Sequence, residues 1–386
     1  VSPRTRSATG GIVAKQGDQG IVWCDETWNP TRGCSRVSEG CRNCYAEKVA
    51  KRFSGPGLPY EGLVDKHGRW NGKVVEVLSK LVDPIRWKRP RRIFVDSMSD
   101  LFHDEVDDVM IDRVFGVMAV AQHHTFQILT KRPERALRWF RDVDQDSVSS
   151  LGAHHADKAG IDDFMWDDRG PGAPNRRTWP GWPLPNVHIG VSVEDQETAN
   201  ERIPLLLQIP AAVRFLSCEP LLGPLTLTEL PAAYADAEHP EPANRPLLRL
   251  DALRGGYWGL PPEKRPNTWN GSGDYGPDTG RVGWVIVGGE SGDGARPLHP
   301  EWAKSLRDQC VAAKVPFLFK QWGEWAPFSQ VPEDLVESTY RSRVTADEHE
   351  DQRALDESYG RDCTVGADRG RTAWGGSWMR RGPSTA

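Results

Sequence analysis

Short apolar runs recur along the chain, and most end in a polar or small residue. They are Gly20-Ile21-Val22-Trp23-Cys24, Arg92-Ile93-Phe94-Val95-Asp96, Thr125 to Lys131, Val187 to Glu194, Val213 to Glu219, Trp284 to Glu290 and Pro316 to Trp322. Near-continuous apolar strands of this length suit a parallel sheet covered on both faces. Helical periodicity fills the intervals. Asp107 to Gln122 carries Val109, Met110, Val114, Val117, Met118 and Ala121 on one stripe, and Pro133 opens a segment bearing Ala136, Leu137 and Phe140. Cys41 to Phe53, Glu194 to Leu207 and Pro300 to Ala313 read as further helices. Strands alternating with helices predict βαβ units. No Gly-x-Gly-x-x-Gly follows the first strand, which favours a (β/α) barrel, full or partial, over a dinucleotide-binding sheet. The expected fold class is α/β: a partial (β/α) barrel of six or seven strands with loop insertions and a C-terminal extension.

Three stretches interrupt the rhythm. Residues 143–183 are rich in Asp, Gly, Pro and His, residues 226–281 in Pro, Gly and Trp, and residues 328–386 are charged without clear period until the basic end Arg369 to Arg381. The expected organisation is an N-terminal arm over 1–20, a barrel over 21–327 with insertions at 143–183 and 226–281, and an extension over 328–386. Insertions on the barrel's carboxyl face would cap its site.

Composition narrows the setting. The 386 residues carry a formal charge of −5, so no global basic field advertises nucleic acid or membrane surfaces. No apolar run is long enough to cross a bilayer, and Val1 to Arg6 lacks the apolar core of a signal peptide. A soluble, cytoplasmic protein is expected. Seven cysteines, odd in number and unevenly placed, do not suggest a disulfide framework.

Three of them define the chemistry. Cys34, Cys41 and Cys44 lie in one loop, with six residues in the first gap and two in the second. A structural zinc site closes with four ligands, whereas three thiolates can hold three irons of a [4Fe–4S] cluster and leave the fourth open. Gly33 and Gly40 give the loop backbone freedom. A zinc site completed by Cys24 or a histidine remains an alternative, as do unliganded thiols. Cys24, Cys310 and Cys363 read as structural or incidental.

The segment Cys41-Arg42-Asn43-Cys44-Tyr45-Ala46, with an aromatic directly after the third cysteine, resembles the radical S-adenosylmethionine superfamily. The usual first gap there is three residues, and here it is six. A narrower resemblance runs over roughly residues 20–327. Its carriers are Thr27 to Cys34, Phe94 to His103, Leu129-Thr130-Lys131-Arg132-Pro133, Leu216 to Leu221, Gly288 to Gly292 and Phe319 to Trp325. In order, they resemble a phage-associated three-cysteine family whose nearest understood relative is spore photoproduct lyase.

This resemblance implies that the open iron binds S-adenosylmethionine. One electron, from a donor protein, would cleave it to methionine and a 5′-deoxyadenosyl radical. The implied substrate is a DNA or RNA base, in lesion repair or base modification. The resemblance also implies roles at the strand ends. Asp96, Ser97 and Ser99 would meet the amino group of the cofactor, Lys131 its carboxylate, and Ser192 and Glu194 its ribose. Gly288, Gly289 and Glu290 would let an adenine or phosphate approach. Cys218, at the end of the fifth strand with Glu219, is a candidate hydrogen-atom donor, and Glu219 and Lys320, the latter at the end of the last strand, are further catalytic candidates. Helix capping, tight turns and burial are the rival readings of these positions. Lys320, Trp322 and Trp325 could form a base-stacking platform. Arg86-Trp87-Lys88-Arg89-Pro90-Arg91-Arg92 is the most basic segment, and could touch a nucleic acid backbone or be a solvated loop. A nucleic-acid-binding protein with a purely structural cluster is the competing function.

Overall fold

The computed structural model describes residues 21–161, 164–166, 176–231, 249–258, 280–292, 294–327 and 378–380. The expected arm over 1–20, Cys363 and nearly all of the extension from 328 lie outside the described residues, as do parts of both insertions.

Seven strands make the central sheet: β1 (Glu26–Trp28), β2 (Arg92–Val95), β3 (Thr125–Thr130), β4 (Val187–Ser192), β5 (Val213–Cys218), β6 (Val282–Gly288) and β7 (Phe317–Gln321). Their spatial order is their chain order, and every neighbouring pair is parallel. Right-handed crossovers in unbroken sequential order put all connecting helices on one side. The opposite face then has no covering layer and is buried only by curling upon itself. The sheet does this as a half-barrel, with β1 and β7 left as separate edges.

Alternation along the strands divides the apolar side chains between two cores. Ile93, Val95, Phe126, Ile128, Ile189, Val191, Leu216, Val285 and Val287 face outward into the helix layer. Phe94, Phe215 and Ile286 face inward, joined by Leu129, Trp284 and Leu318. Phe215 and Trp284 stack at 4.5 Å with their planes 14° apart. Trp23 closes the base of this interior. The first strand is therefore not the Ile21 run but Glu26–Trp28. Residues 21–24 turn back, Cys24 N donating to Ile21 O at 3.1 Å, and deliver Trp23 onto Phe94.

Helix α1 (Tyr45–Arg52) follows the cysteine loop and packs in a separate cluster with Tyr60, Leu63, Trp70 and Met98, while the outer layer holds α2 (Asp108–Val120), α3 (Pro133–Asp142), α4 (Gln145–Lys158), α5 (Gln196–Gln208) and α6 (Pro300–Ala312). Asp107 caps α2 by accepting from Met110 N at 2.6 Å, and Asp195 and Thr198 form a capping box on α5. The insertion from 143 thus opens with a regular helix. Its apolar stripe is thin, because contact with α2 is made through glycines. A Cβ on Gly116 would lie 2.7 Å from Gly152 N. Gly116→Ala is expected to force the two helices apart and cost ~1–3 kcal/mol, read from the urea midpoint by circular dichroism. In the second insertion, Leu230–Pro231, Arg249–Asp251 and Gly256–Trp258 pair as a small antiparallel sheet. Among the described residues no helix is long and apolar enough to cross a membrane.

A candidate metal and cofactor site at the strand ends

Because all seven strands run the same way, their carboxyl ends share one rim. The cysteine loop leaves the end of β1 and lies over that rim. Its entry needs glycine: Gly33 has φ +101, and a Cβ there would meet Lys73 O at 2.1 Å. Three buried or half-buried ion pairs then fasten the loop. Arg132 reaches from the end of β3, donating to Asp100 Oδ2 at 3.0 Å and to Ser35 Oγ at 2.8 Å, with Cys34 Sγ 3.9 Å away. Arg36 pairs with Glu47 on α1, whose other contact is Trp70 N at 3.0 Å. Glu290, beyond β6, accepts from Asn43 Nδ2 at 2.9 Å and from Arg296, which also reaches Glu39 O at 2.8 Å.

Cys34, Cys41 and Cys44 are free thiols, each partly buried. Burial pushes the Cys34 thiol up to about 12; Asp100 adds to this, and Arg132 opposes it. Burial also pushes Cys44 up. Such thiols stay neutral until a cationic centre displaces the proton. Among the described residues no three His, Cys, Asp or Glu side chains are gathered as a metal centre. The donor set nonetheless suits a thiophilic group: three thiols of one loop, two of them packed against Ala46, Ala50, Leu63 and Met98. Cys24 is not among them, its thiol lying 3.6 Å from Ile21 O before β1.

Charged residues flagged at the strand ends do gather on the rim, but chiefly as partners of one another. Lys131 Nζ pairs with Glu194 Oε1 at 2.7 Å, and Arg202 of α5 holds the other oxygen at 3.1 Å. Gly40 sits directly over this cluster, since a Cβ on it would come within 2.4 Å of the Glu194 carboxylate. Ser192 contributes its carbonyl to Arg202 at 2.8 Å. Glu219 reaches Lys320 at 3.1 Å across the intervening β6. That crossing requires Gly288, where a Cβ would lie 2.3 Å from Glu219 Oε1. Over Gly289 the space is taken by Trp322 O, 1.9 Å from where a Cβ would be. The chain's own atoms therefore fill the approaches that these two glycines open.

Other flagged residues point elsewhere. Ser97 donates to Asn29 Oδ1 at 3.1 Å, and Ser99 to Gly33 O at 2.7 Å, so both brace the loop's base. Cys218 belongs to the outward set with Leu216 and lies fully buried in the helix-facing core, whereas Ser217 and Glu219 take the inner side. Trp322 packs on Phe319 at 4.7 Å, and Trp325 donates to Ala295 O at 2.7 Å. The basic segment precedes β2 at the opposite end of the sheet. There Arg91 and Arg92 pair with Glu26 and Asp25, and Arg91 lies 5.0 Å over Trp87.

Asp96 follows β2 in a left-handed conformation, φ +55, which a non-glycine residue seldom adopts. Its Oδ1 accepts from Thr31 N at 3.1 Å, while Oδ2 is buried without a partner. Burial raises its carboxyl to about 8 against the hydrogen bond from Thr31. An unfolded aspartate sheds its proton near pH 4, so the folded chain keeps a proton the unfolded chain has lost. Stability contributed here falls as pH climbs from about 4 towards 8. Asp96→Asn, with no proton to keep, is expected to gain ~1 kcal/mol or more over the native chain between pH 5 and pH 8. Urea midpoints at the two pH values check this.

Asp100, Arg132, Asn43, Glu47 and Arg296 hold the loop, yet none was singled out from the sequence. Asp100 and Arg132 stand inside quoted motifs, beside Ser99 and Lys131. Arg296 follows a Gly-rich turn that carries no such signal.

A sequentially ordered parallel half-barrel bearing a three-thiol loop on its carboxyl rim defines the class of protein. The match to the family of proteins of unknown function DUF5131 covers residues 18–363, and the chain belongs to that family. No curated protein and no solved structure matches it.

Proposed function

We propose that the chain is a radical S-adenosylmethionine enzyme with the corresponding type of partial barrel. Cys34, Cys41 and Cys44 would hold a [4Fe–4S] cluster. The single observation that carries this reading is the set of three free thiols on one loop, fastened over the carboxyl rim of the half-barrel. When bound, a cluster of this kind with S-adenosylmethionine supplies hydrogen-atom abstraction driven by one electron from outside. The chain's residues do the rest. Arg132, Arg36 and Arg296 orient the loop through Asp100, Glu47 and Glu290. Lys131, Glu194, Glu219 and Lys320 set charges of both signs on the rim, which suits a zwitterionic amino acid moiety. Trp23, Phe94 and Phe215 close the interior beneath and exclude water. The proposed substrate is a DNA or RNA base and the electron source a donor protein; both rest on the resemblance to spore-photoproduct-lyase-like enzymes.

One observation favours a second reading, a structural cluster without turnover. The rim carboxylates Glu194, Glu219 and Glu290 already have cations of the chain as partners. Anaerobic purification, iron and sulfide counts, and spin-resonance spectra of the dithionite-reduced protein separate the readings. About four irons with a spectrum altered by S-adenosylmethionine supports the enzyme. Iron with an indifferent spectrum supports the structural cluster. Zinc in place of iron overturns both.

A further inference from the structure

On the outer surface, away from the rim, a cavity of about 400 Å³ opens between the helical stretch Leu78–Arg86, α2 and α4. This volume lies in the range of small-molecule sites. Its floor is apolar, from Leu81, Val82 and Leu151, and its walls carry Arg86, Arg113, His154 and Lys158. The last turn of α4 adds His155, which is 4 % exposed and has no hydrogen-bond partner on either ring nitrogen. Buried polar groups are nearly always satisfied, so this imidazole, sealed at both nitrogens beside the cavity, is a spare donor that a small side-chain rotation would offer to a polar guest. The cations are only lightly committed. Arg113 meets Glu76 at a long 3.6 Å, and Arg86 donates to Lys158 O at 3.2 Å, leaving the Lys158 ammonium outside that contact.

We infer that this cavity binds a small organic oxyanion, a phosphate or carboxylate carried on an apolar body. The oxyanion would take donors from Arg113, Lys158 and His155, and the apolar body would lie on Leu81, Val82 and Leu151. Burial, and then His154, Lys158 and Arg113, push the His155 imidazole down to about 4. It is thus neutral, with one N–H to donate, and the local excess of positive charge favours a negative guest. The cavity shares no lining residue with the strand-end rim, so this inference stands apart from the function proposed above.

Calorimetric titration of the full chain with phenyl phosphate, benzoate and the neutral benzyl alcohol tests it. Saturable binding of at least one anion is expected, with no comparable binding of the alcohol. Phenyl phosphate alone identifies the phosphate source, benzoate alone the carboxylate. Lys158→Gln and Arg113→Gln, both at solvent-accessible positions, should each weaken that anion about tenfold while leaving the circular dichroism unchanged. His155→Phe should abolish it. The inference is overturned if neither anion binds up to about 10 mM, if the alcohol binds equally well, or if both charge variants bind the anion as the native chain does.

Discussion

If the proposed cluster is bound, Cys41→Ser is expected to lower iron from about four atoms per chain to below about one, and to erase the spectral response to S-adenosylmethionine. Cys41 ends the short turn Glu39–Cys41, is only partly buried, and carries none of the ion pairs that fasten the loop. The far-ultraviolet circular dichroism should therefore be unchanged, which separates loss of a ligand from loss of the fold. Serine keeps the side-chain size but offers a hard oxygen in place of a soft thiolate, so the remaining pair is left one ligand short. Cys34→Ser would be the less clean variant, since Arg132 stands 3.9 Å from its sulfur. Iron retained at the native level in Cys41→Ser would overturn the three-thiol assignment.

The largest effect on stability is expected at Asp100. Its carboxylate accepts from Phe102 N at 3.0 Å, Thr130 Oγ1 at 2.8 Å, Lys131 N at 3.1 Å and Arg132 Nη1 at 3.0 Å. Asp100 and Arg132 are 7 % and 8 % exposed at their side chains. Removing one member of such a pair leaves a buried charge without compensation, so Asp100→Ala should cost ~3–5 kcal/mol. The Asp100→Ala/Arg132→Met double variant, which removes both charges, should lose less than Asp100→Ala alone. That ordering is a signature of charge pairing that simple packing loss would not produce. Denaturant midpoints on the four chains of this cycle measure it. Iron content should fall in both single variants as well, because Arg132 also holds Ser35.

Much of the architecture was legible because six of the seven strands are compact apolar runs punctuated by a polar end. What escaped has physical reasons. The Ile21 run mimics a strand, yet its apolar residues are needed to seal the barrel base through Trp23, so the chain turns there and the strand starts at Glu26. The fourth helix has too few large apolar residues to announce itself, since it approaches α2 through Gly116 and Gly152. At the rim, Lys131, Glu194, Glu219, Lys320 and Glu290 were legible as strand-end charges. Their mutual pairing was not, because it depends on which ends lie side by side and on Gly288 clearing a path. The side of β5 on which Cys218 lies was equally hidden. Val213 to Cys218 is apolar towards both faces, so periodicity does not say which residues point inward.

The unbroken strand order has a consequence for how the molecule is made. Each strand pairs with the one before it, so the sheet can lengthen at one edge as the chain leaves the ribosome, without reserving a gap for a later strand. The cysteine loop does not share this early completion. Its contacts through Asn43 and Glu39 span 247 and 257 residues to Glu290 and Arg296, so part of its clasp closes only after six of the seven strands have been synthesised. During synthesis two of the loop's three clasps, Arg36–Glu47 and Arg132–Asp100, are thus available by residue 132, and the third waits for Glu290 and Arg296.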